Sequence, residues 1–197
     1  MRNVVFTGLM IVVALCIAGC ILDPRDPEES GGGEPDCWVT PDRNPKDVFL
    51  NIQCGLKSIG NSSYERSLHP DFVYIPRLQD VALFPEGRFD GWTKEVEMGV
   101  LERIKGDYQG SRSIRFGDEN GIFDEESWEG EKAEYEGDYM MVLYPGGSAQ
   151  PDTIKGRARF KVESHSKGYM LKEWEDIDIS GNYPTSGYLR GSKRETD

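Results

Sequence analysis

Hydrophobic and polar positions divide this chain into four stretches. Residues 4–17 form a run of largely apolar, uncharged positions, and residues 21–36 are the opposite, mostly Asp, Glu, Pro, Ser and Gly with almost nothing to bury. From residue 44 a helical period sets in. Asn44-Pro45-Lys46-Asp47 reads as a helix start, with an asparagine cap, a proline at the first helical position and an acid in the first turn. Val48, Phe49, Ile52 and Leu56 then share one face, with Leu50 and Cys54 beside it, and Gly60-Asn61 ends the helix. Residues 62–68 predict a second short helical turn, stopped by His69-Pro70, and Phe72-Val73-Tyr74-Ile75 predicts a first strand. After a loop over 76–91, Val96, Val100, Leu101 and Ile104 predict a third helix over 93–105.

The fourth stretch changes period. Strands are expected over 111–116, 131–144, 153–164 and 168–177, the second being one long strand or a bent pair that ends at Pro145-Gly146-Gly147. Gly156, Ala158, Phe160 and Val162 alternate with Lys155, Arg157, Arg159 and Lys161, which gives one buried face and one wet face. The turn around Ser166 makes a hairpin of the last two strands. Helices first and strands afterwards predict an α+β domain, with N-terminal helices packed on one face of a curved antiparallel sheet.

The start of the chain speaks to compartment. Arg2, the apolar run and the small residues that follow have the form of a secretory signal, too short for a comfortable membrane span. Ile17-Ala18-Gly19-Cys20 resembles the lipobox of bacterial lipoproteins, which implies cleavage before Cys20 and acylation, palmitate included, of that residue. The competing reading is an ordinary signal peptide, or an anchor helix that happens to end at a cysteine. Several acyl chains make attachment effectively permanent, so the expected membrane contact is the lipid itself. Ile21 after Cys20 lacks the aspartate that marks inner-membrane retention, so the expected location is the cell envelope, at the outer membrane in a host with two membranes.

Charge narrows the partners. The chain carries a net −12 at pH 7, and cleavage would remove one arginine and no acid. Nucleic acid and anionic lipid would both be repelled, so neither is expected as a direct partner. Cys16 leaves with the signal and Cys20 is taken by lipid, which leaves Cys37 and Cys54 in an oxidising compartment, a pairing that suggests a disulfide. The alternative is a small buried Cys54 and an unpaired Cys37. The expected organisation is a signal peptide over 1–19, a lipidated flexible tether over 20–43, one domain over 44–180 and a C-terminal extension over 181–197.

Four groups of residues carry a family resemblance. They are Pro45-Lys46-Asp47-Val48, the run Leu68-His69-Pro70-Asp71-Phe72-Val73-Tyr74, then Trp92-Thr93-Lys94-Glu95-Val96-Glu97, and Gly168-Tyr169-Met170-Leu171-Lys172-Glu173-Trp174-Glu175-Asp176. In this order, with Ser186-Gly187-Tyr188-Leu189-Arg190-Gly191 near the end, they resemble NTF2-like proteins of the SnoaL-like and ketosteroid-isomerase-like kind, and among them uncharacterised bacterial lipoproteins. The resemblance implies a cone closed at one end by helices, whose interior holds a small apolar ligand and, in the enzymes, an acid or histidine. Fold alone says little about function.

By position, the residues expected to line the cone are Asp71, Tyr74 and Trp174. Each has a plain structural reading: Tyr74 and Trp174 suit a sheet core, and Asp71 suits a turn. His69 and His165 sit at turns, and no catalytic triad can be assembled. Asp118 and Glu129 stand at the first and twelfth places of an EF-hand-like spacing, but glycine is fourth instead of sixth and Ile122 takes a ligand place, so the segment reads as an acidic solvated loop. No metal or cofactor is expected. Trp92 and Trp174 are expected in the core, while Trp38 and Trp128 remain open. The expectation is a lipid-anchored, non-catalytic binding or accessory module that meets an envelope protein or a small apolar ligand. The alternative is a SnoaL-like or isomerase-like enzyme acting on a small apolar substrate in the cone.

Overall fold

Asn44 starts the first helix as the pattern predicts, its Oδ1 accepting from Lys46 N at 3.0 Å across Pro45. The computed structural model describes residues 37–57, 62–177 and 184–194. Helix α1 (Asp47–Lys57) buries Val48, Phe49, Ile52, Cys54 and Leu56, while Leu50 is 50% exposed on its far side. Gly60 and Asn61, the expected helix stop, lie outside the described residues. Helix α2 (Ser63–Ser67) packs against α1 at Gly55, where a Cβ would stand 2.2 Å from Tyr64 N, so this crossing requires glycine.

Strand β1 (Leu68–Ile75) begins four residues before the expected Phe72. His69-Pro70, expected to stop a helix, instead lies where the pairing slips between Leu68 and Val73. A bulge on an edge strand tolerates the missing proline N–H. Helix α3 (Leu78–Val81) lies in the expected loop, and α4 (Lys94–Asp107) buries Val100, Leu101 and Ile104 together with Glu97. The remaining strands are β2 (Arg112–Phe116), β3 (Glu125–Glu129), β4 (Lys132–Leu143), β5 (Asp152–His165) and β6 (Gly168–Ile177).

The strand order is β1-β6-β5-β4-β2, with β3 also on β4. The sheet is mixed, not purely antiparallel as expected, because β1 runs parallel to β6. No hairpin joins those two strands, and the long connection through two helices and four strands leaves the parallel direction open. Strands β2 and β3 pair with the upper and lower halves of β4, so the expected acidic loop is corrected over 125–129, where it is strand. Phe123, just before it, is a core residue whose ring lies 4.8 Å from Phe49 and 5.0 Å from Tyr135. Asp118 closes its own turn, accepting from Asn120 N at 2.8 Å and Ile122 N at 2.9 Å, while Glu129 stands opposite Lys132 in the hairpin.

Strand β5 alternates as predicted. Its outer face carries ion pairs from Arg159 to Glu136 and Glu175, both at 3.0 Å, and from Lys161 to Glu173 at 2.7 Å. Exposed pairs of this kind contribute ~0–1 kcal/mol each, so the inner face carries the stability. There Phe160 and Trp174 join Phe49, Phe116 and Tyr135 in one aromatic core. At Gly156 a Cβ would stand 2.1 Å from the Tyr139 hydroxyl, so the bare backbone lets that phenol lie across the strand.

The expected extension over 181–197 is corrected by its own helix. Helix α5 (Ser186–Lys193) is capped by Thr185, whose Oγ1 accepts from Tyr188 N at 3.3 Å, and it buries Ser186, Gly187, Leu189, Arg190 and Gly191. It closes the concave side of the sheet. Residues 37–43, expected as tether, are likewise part of the fold: Val39 and Pro41 hydrogen-bond to Asn51 and Tyr169.

Candidate functional site

The concave face gathers acids, residues whose charge ordinarily keeps them at the surface. Asp176 follows Trp174 by two residues on β6 and therefore points to the same buried face. Its Oδ1 accepts from Trp174 Nε1 at 2.8 Å. Its Oδ2 accepts from Tyr74 OH at 2.8 Å, Ser186 Oγ at 2.5 Å, Gly187 N at 3.0 Å and Tyr139 OH at 3.2 Å. Burial pushes this carboxyl above the ordinary aspartate value, against the charge of Arg190 and the donors that favour the ionised form. Burial, reinforced by the nearby Asp176, raises both Tyr74 and Tyr139 well above the ordinary tyrosine value.

A second acid sits beside the first. Glu97 receives Arg190 in a two-pronged pair, Nε to Oε2 at 3.0 Å and Nη2 to Oε1 at 2.9 Å, and also accepts from Tyr64 OH at 2.6 Å and Trp92 Nε1 at 3.0 Å. Burial alone would raise Glu97, but the guanidinium and these donors outweigh it and hold the carboxyl below the ordinary glutamate value. The same guanidinium lies 4.2 Å from the ring centre of Trp174 and 4.3 Å from that of Tyr74, which links the two acids through shared aromatic walls. At the rim, Asp80 takes Arg77 through both carboxylate oxygens and Thr185 Oγ1 at 2.5 Å.

Chemically, this is an acid with two phenols and a buried ion pair, the groups that general acid and base work draws on. The cavity beside it is small. The cavity among Tyr64, Glu97, Leu101, Trp174 and Arg190 is about 20 Å³. That volume suits one water and no organic substrate. Arg190 Nη1 is buried without a hydrogen-bond partner and borders this same cavity.

Of the residues expected to line the cone, Tyr74 and Trp174 are buried and both hydrogen-bond to Asp176. Asp71 does not: its side chain is 81% exposed on the outer side of the β1 bulge, 3.8 Å from His69. Cys37 and Cys54 are joined in a disulfide with Cα atoms 6.0 Å apart. Cys20 lies outside the described residues. Trp92 and Trp174 are buried, Trp128 is 57% exposed, and Trp38 lies under the Arg66 guanidinium at 3.9 Å. Among the described residues no cluster of His, Cys, Asp and Glu is arranged to hold a metal ion, and no helix is long and apolar enough to cross a membrane.

Asp176, Glu97, Tyr139 and Arg190 were not among the expected site residues. The first two carry a readable signal. Trp174 and Asp176 share strand parity, and Glu97 lies on the helical stripe of Val100, Leu101 and Ile104, where an acid needs a partner.

Solved structures similar in fold include a scytalone dehydratase candidate from Novosphingobium aromaticivorans, 9% identical, with a TM-score of 0.52 over 72% of this chain and 90% of that one. A protein from Kribbella flavida is 10% identical with a TM-score of 0.52 over 74% and 93%. An NTF2-like superfamily protein from Salmonella enterica is 11% identical with a TM-score of 0.48 over 69% and 90%. The fold is the NTF2-like α+β cone. At these identities the NTF2-like likeness fixes architecture and leaves chemistry to the residues above. No protein-family model matches the sequence, and no curated protein matches it.

Proposed function

We propose that this chain is a lipid-anchored cell-envelope protein, at the outer membrane in a host with two membranes, whose NTF2-like domain is a non-catalytic binding or accessory module. The observation that carries the non-catalytic part is α5: its Ser186, Gly187 and Arg190 bond to the two buried acids of the interior, and the cavity that Arg190 borders is about 20 Å³. The anchor rests on the lipobox-like Ile17-Ala18-Gly19-Cys20. Mass spectrometry of protein extracted from membranes is expected to find acylation at Cys20, and Cys20→Ser to move the protein to the soluble fraction. Membrane partitioning unaffected by Cys20→Ser overturns the anchor.

A second reading has one observation in its favour. Asp176 with Tyr74 and Tyr139 forms an acid and phenol set suited to proton transfer on a small apolar substrate, as in a SnoaL-like or isomerase-like enzyme. It requires α5 to leave the interior. Turnover of any small apolar substrate that Asp176→Asn abolishes in a folded protein would replace the first reading with this one.

A further inference from the structure

Asn51, buried on α1, ties down a stretch of chain whose composition resembles a tether. Its Oδ1 accepts from Val39 N at 2.8 Å and its Nδ2 donates to Val39 O at 2.7 Å. Two residues earlier the Cys37–Cys54 disulfide joins the same stretch to α1. Two residues later Pro41 O accepts from Tyr169 N at 2.7 Å, with Gly168 so close that a Cβ there would stand 2.8 Å from that oxygen. Three attachments within five residues hold Trp38 in place, and the Arg66 guanidinium carbon lies 3.9 Å from its ring centre.

Trp38 is one wall of a groove of about 420 Å³ that shares no lining residue with the interior cavity. This volume is in the range of small-molecule sites. Pro70 and the small exposed part of Met170 supply apolar surface, while Arg66, Lys94 and Lys167 supply donors and positive charge and His165 its ring nitrogens, against one lining acid, Glu65. Lys94 is fixed by its bond to Leu68 O at 3.0 Å. Burial and, more weakly, the charge of Lys167 hold its ammonium below the ordinary lysine value, although Glu65 and Glu95 pull the other way.

We propose that this groove binds a small organic anion, its apolar body against Trp38 and Met170 and its carboxylate or phosphate among Arg66, Lys94 and Lys167. A polyanion reaching beyond the groove would meet the field of a chain with net charge −12. A ligand no longer than about one Debye length, ~8 Å at physiological salt, is governed by the local cations. The site deepens the reading of the domain as a binding module and rests on that reading for its biological role.

The test is ligand-observed NMR on the full-length protein with phenylacetate and phenyl phosphate, and benzyl alcohol as the uncharged control. One or both anions are expected to bind, the control at least about tenfold more weakly, and Lys167→Glu to weaken the anions by about tenfold. The tighter anion identifies the preferred head group. Lys167 is exposed in a turn, so this variant is expected to fold. No anion binding, equal binding of benzyl alcohol, or binding unchanged in Lys167→Glu each overturns the groove. Release of phenol from phenyl phosphate would overturn the non-catalytic reading instead, with Lys167→Glu still deciding where the anion sits.

Discussion

The interior beneath α5 and the groove beside Trp38 are opposite kinds of place. The interior has the chemistry, with two buried acids, an arginine and three tyrosines, and a cavity of about 20 Å³. The groove has about 420 Å³ with ordinary cationic side chains and one tryptophan at its wall. Reactive residue types therefore do not by themselves mark a site. In the interior they bond almost wholly to one another, with Arg190 Nη1 the atom left over, and a buried polar network so nearly closed helps to specify a unique core.

The strongest way to break this contrast is to remove Arg190. Arg190→Ala leaves Glu97 ionised, buried and without its cation, and is expected to destabilise the fold by about 3–5 kcal/mol in urea unfolding. Replacing both partners, as in Glu97→Leu with Arg190→Met, is expected to recover much of that loss. A stable Arg190→Ala protein would show that α5 is dispensable and the interior accessible.

Cys37→Ser with Cys54→Ser opens a disulfide spanning 17 residues and is expected to lower stability by about 3 kcal/mol. Its sharper effect is local. Amide exchange is expected to rise at Trp38 and Val39 and to stay unchanged at Trp174 and Tyr139, which separates the wall of the groove from the interior.

Asp176→Asn, with an expected loss of about 2 kcal/mol, changes the pH dependence as well. Glu97 titrates below its ordinary 4.5 in the folded state, so its contribution is complete above 4.5 and is lost as pH falls through the lower folded value. Asp176 has the opposite sign. Its folded value lies above the ordinary 3.8, so the folded state binds the proton more tightly and its contribution weakens as pH rises through that window. With Asp176 gone the opposing slope vanishes, and stability measured against pH is expected to fall more steeply on the acid side. The smallest expected change in stability is that of Lys167→Glu, within about 0.5 kcal/mol, because its side chain is exposed in a turn.

Much of the fold was legible. The three strands over 132–177 follow from alternation, and α1 and α4 from their apolar stripes. The parallel pairing of β1 was not, because nothing local records which distant strand an edge strand meets. Strand β3 was hidden because every one of its residues is exposed, so it has no buried face to impose a period of two. Helix α5 was hidden for a different reason. Gly187 and Gly191 are poor helix formers, yet a Cβ at either would strike Asp80 or Phe84, so close approach prevailed over propensity. The candidate site suffered most from this, since Asp176 and Glu97 gain their meaning only once Ser186 and Arg190 are brought against them.

The three attachments of residues 37–41 also have a mechanical consequence. A pull on the chain ahead of Cys37 reaches α1 through a covalent bond at Cys54, in the second half of the helix, and reaches Trp38 and Val39 only after that bond has taken the load. The stretch cannot be peeled from its end one hydrogen bond at a time. Under tension the load passes through Cys54 to the buried face of α1, Val48, Phe49, Ile52 and Leu56, so the wall of the groove is held by the core itself.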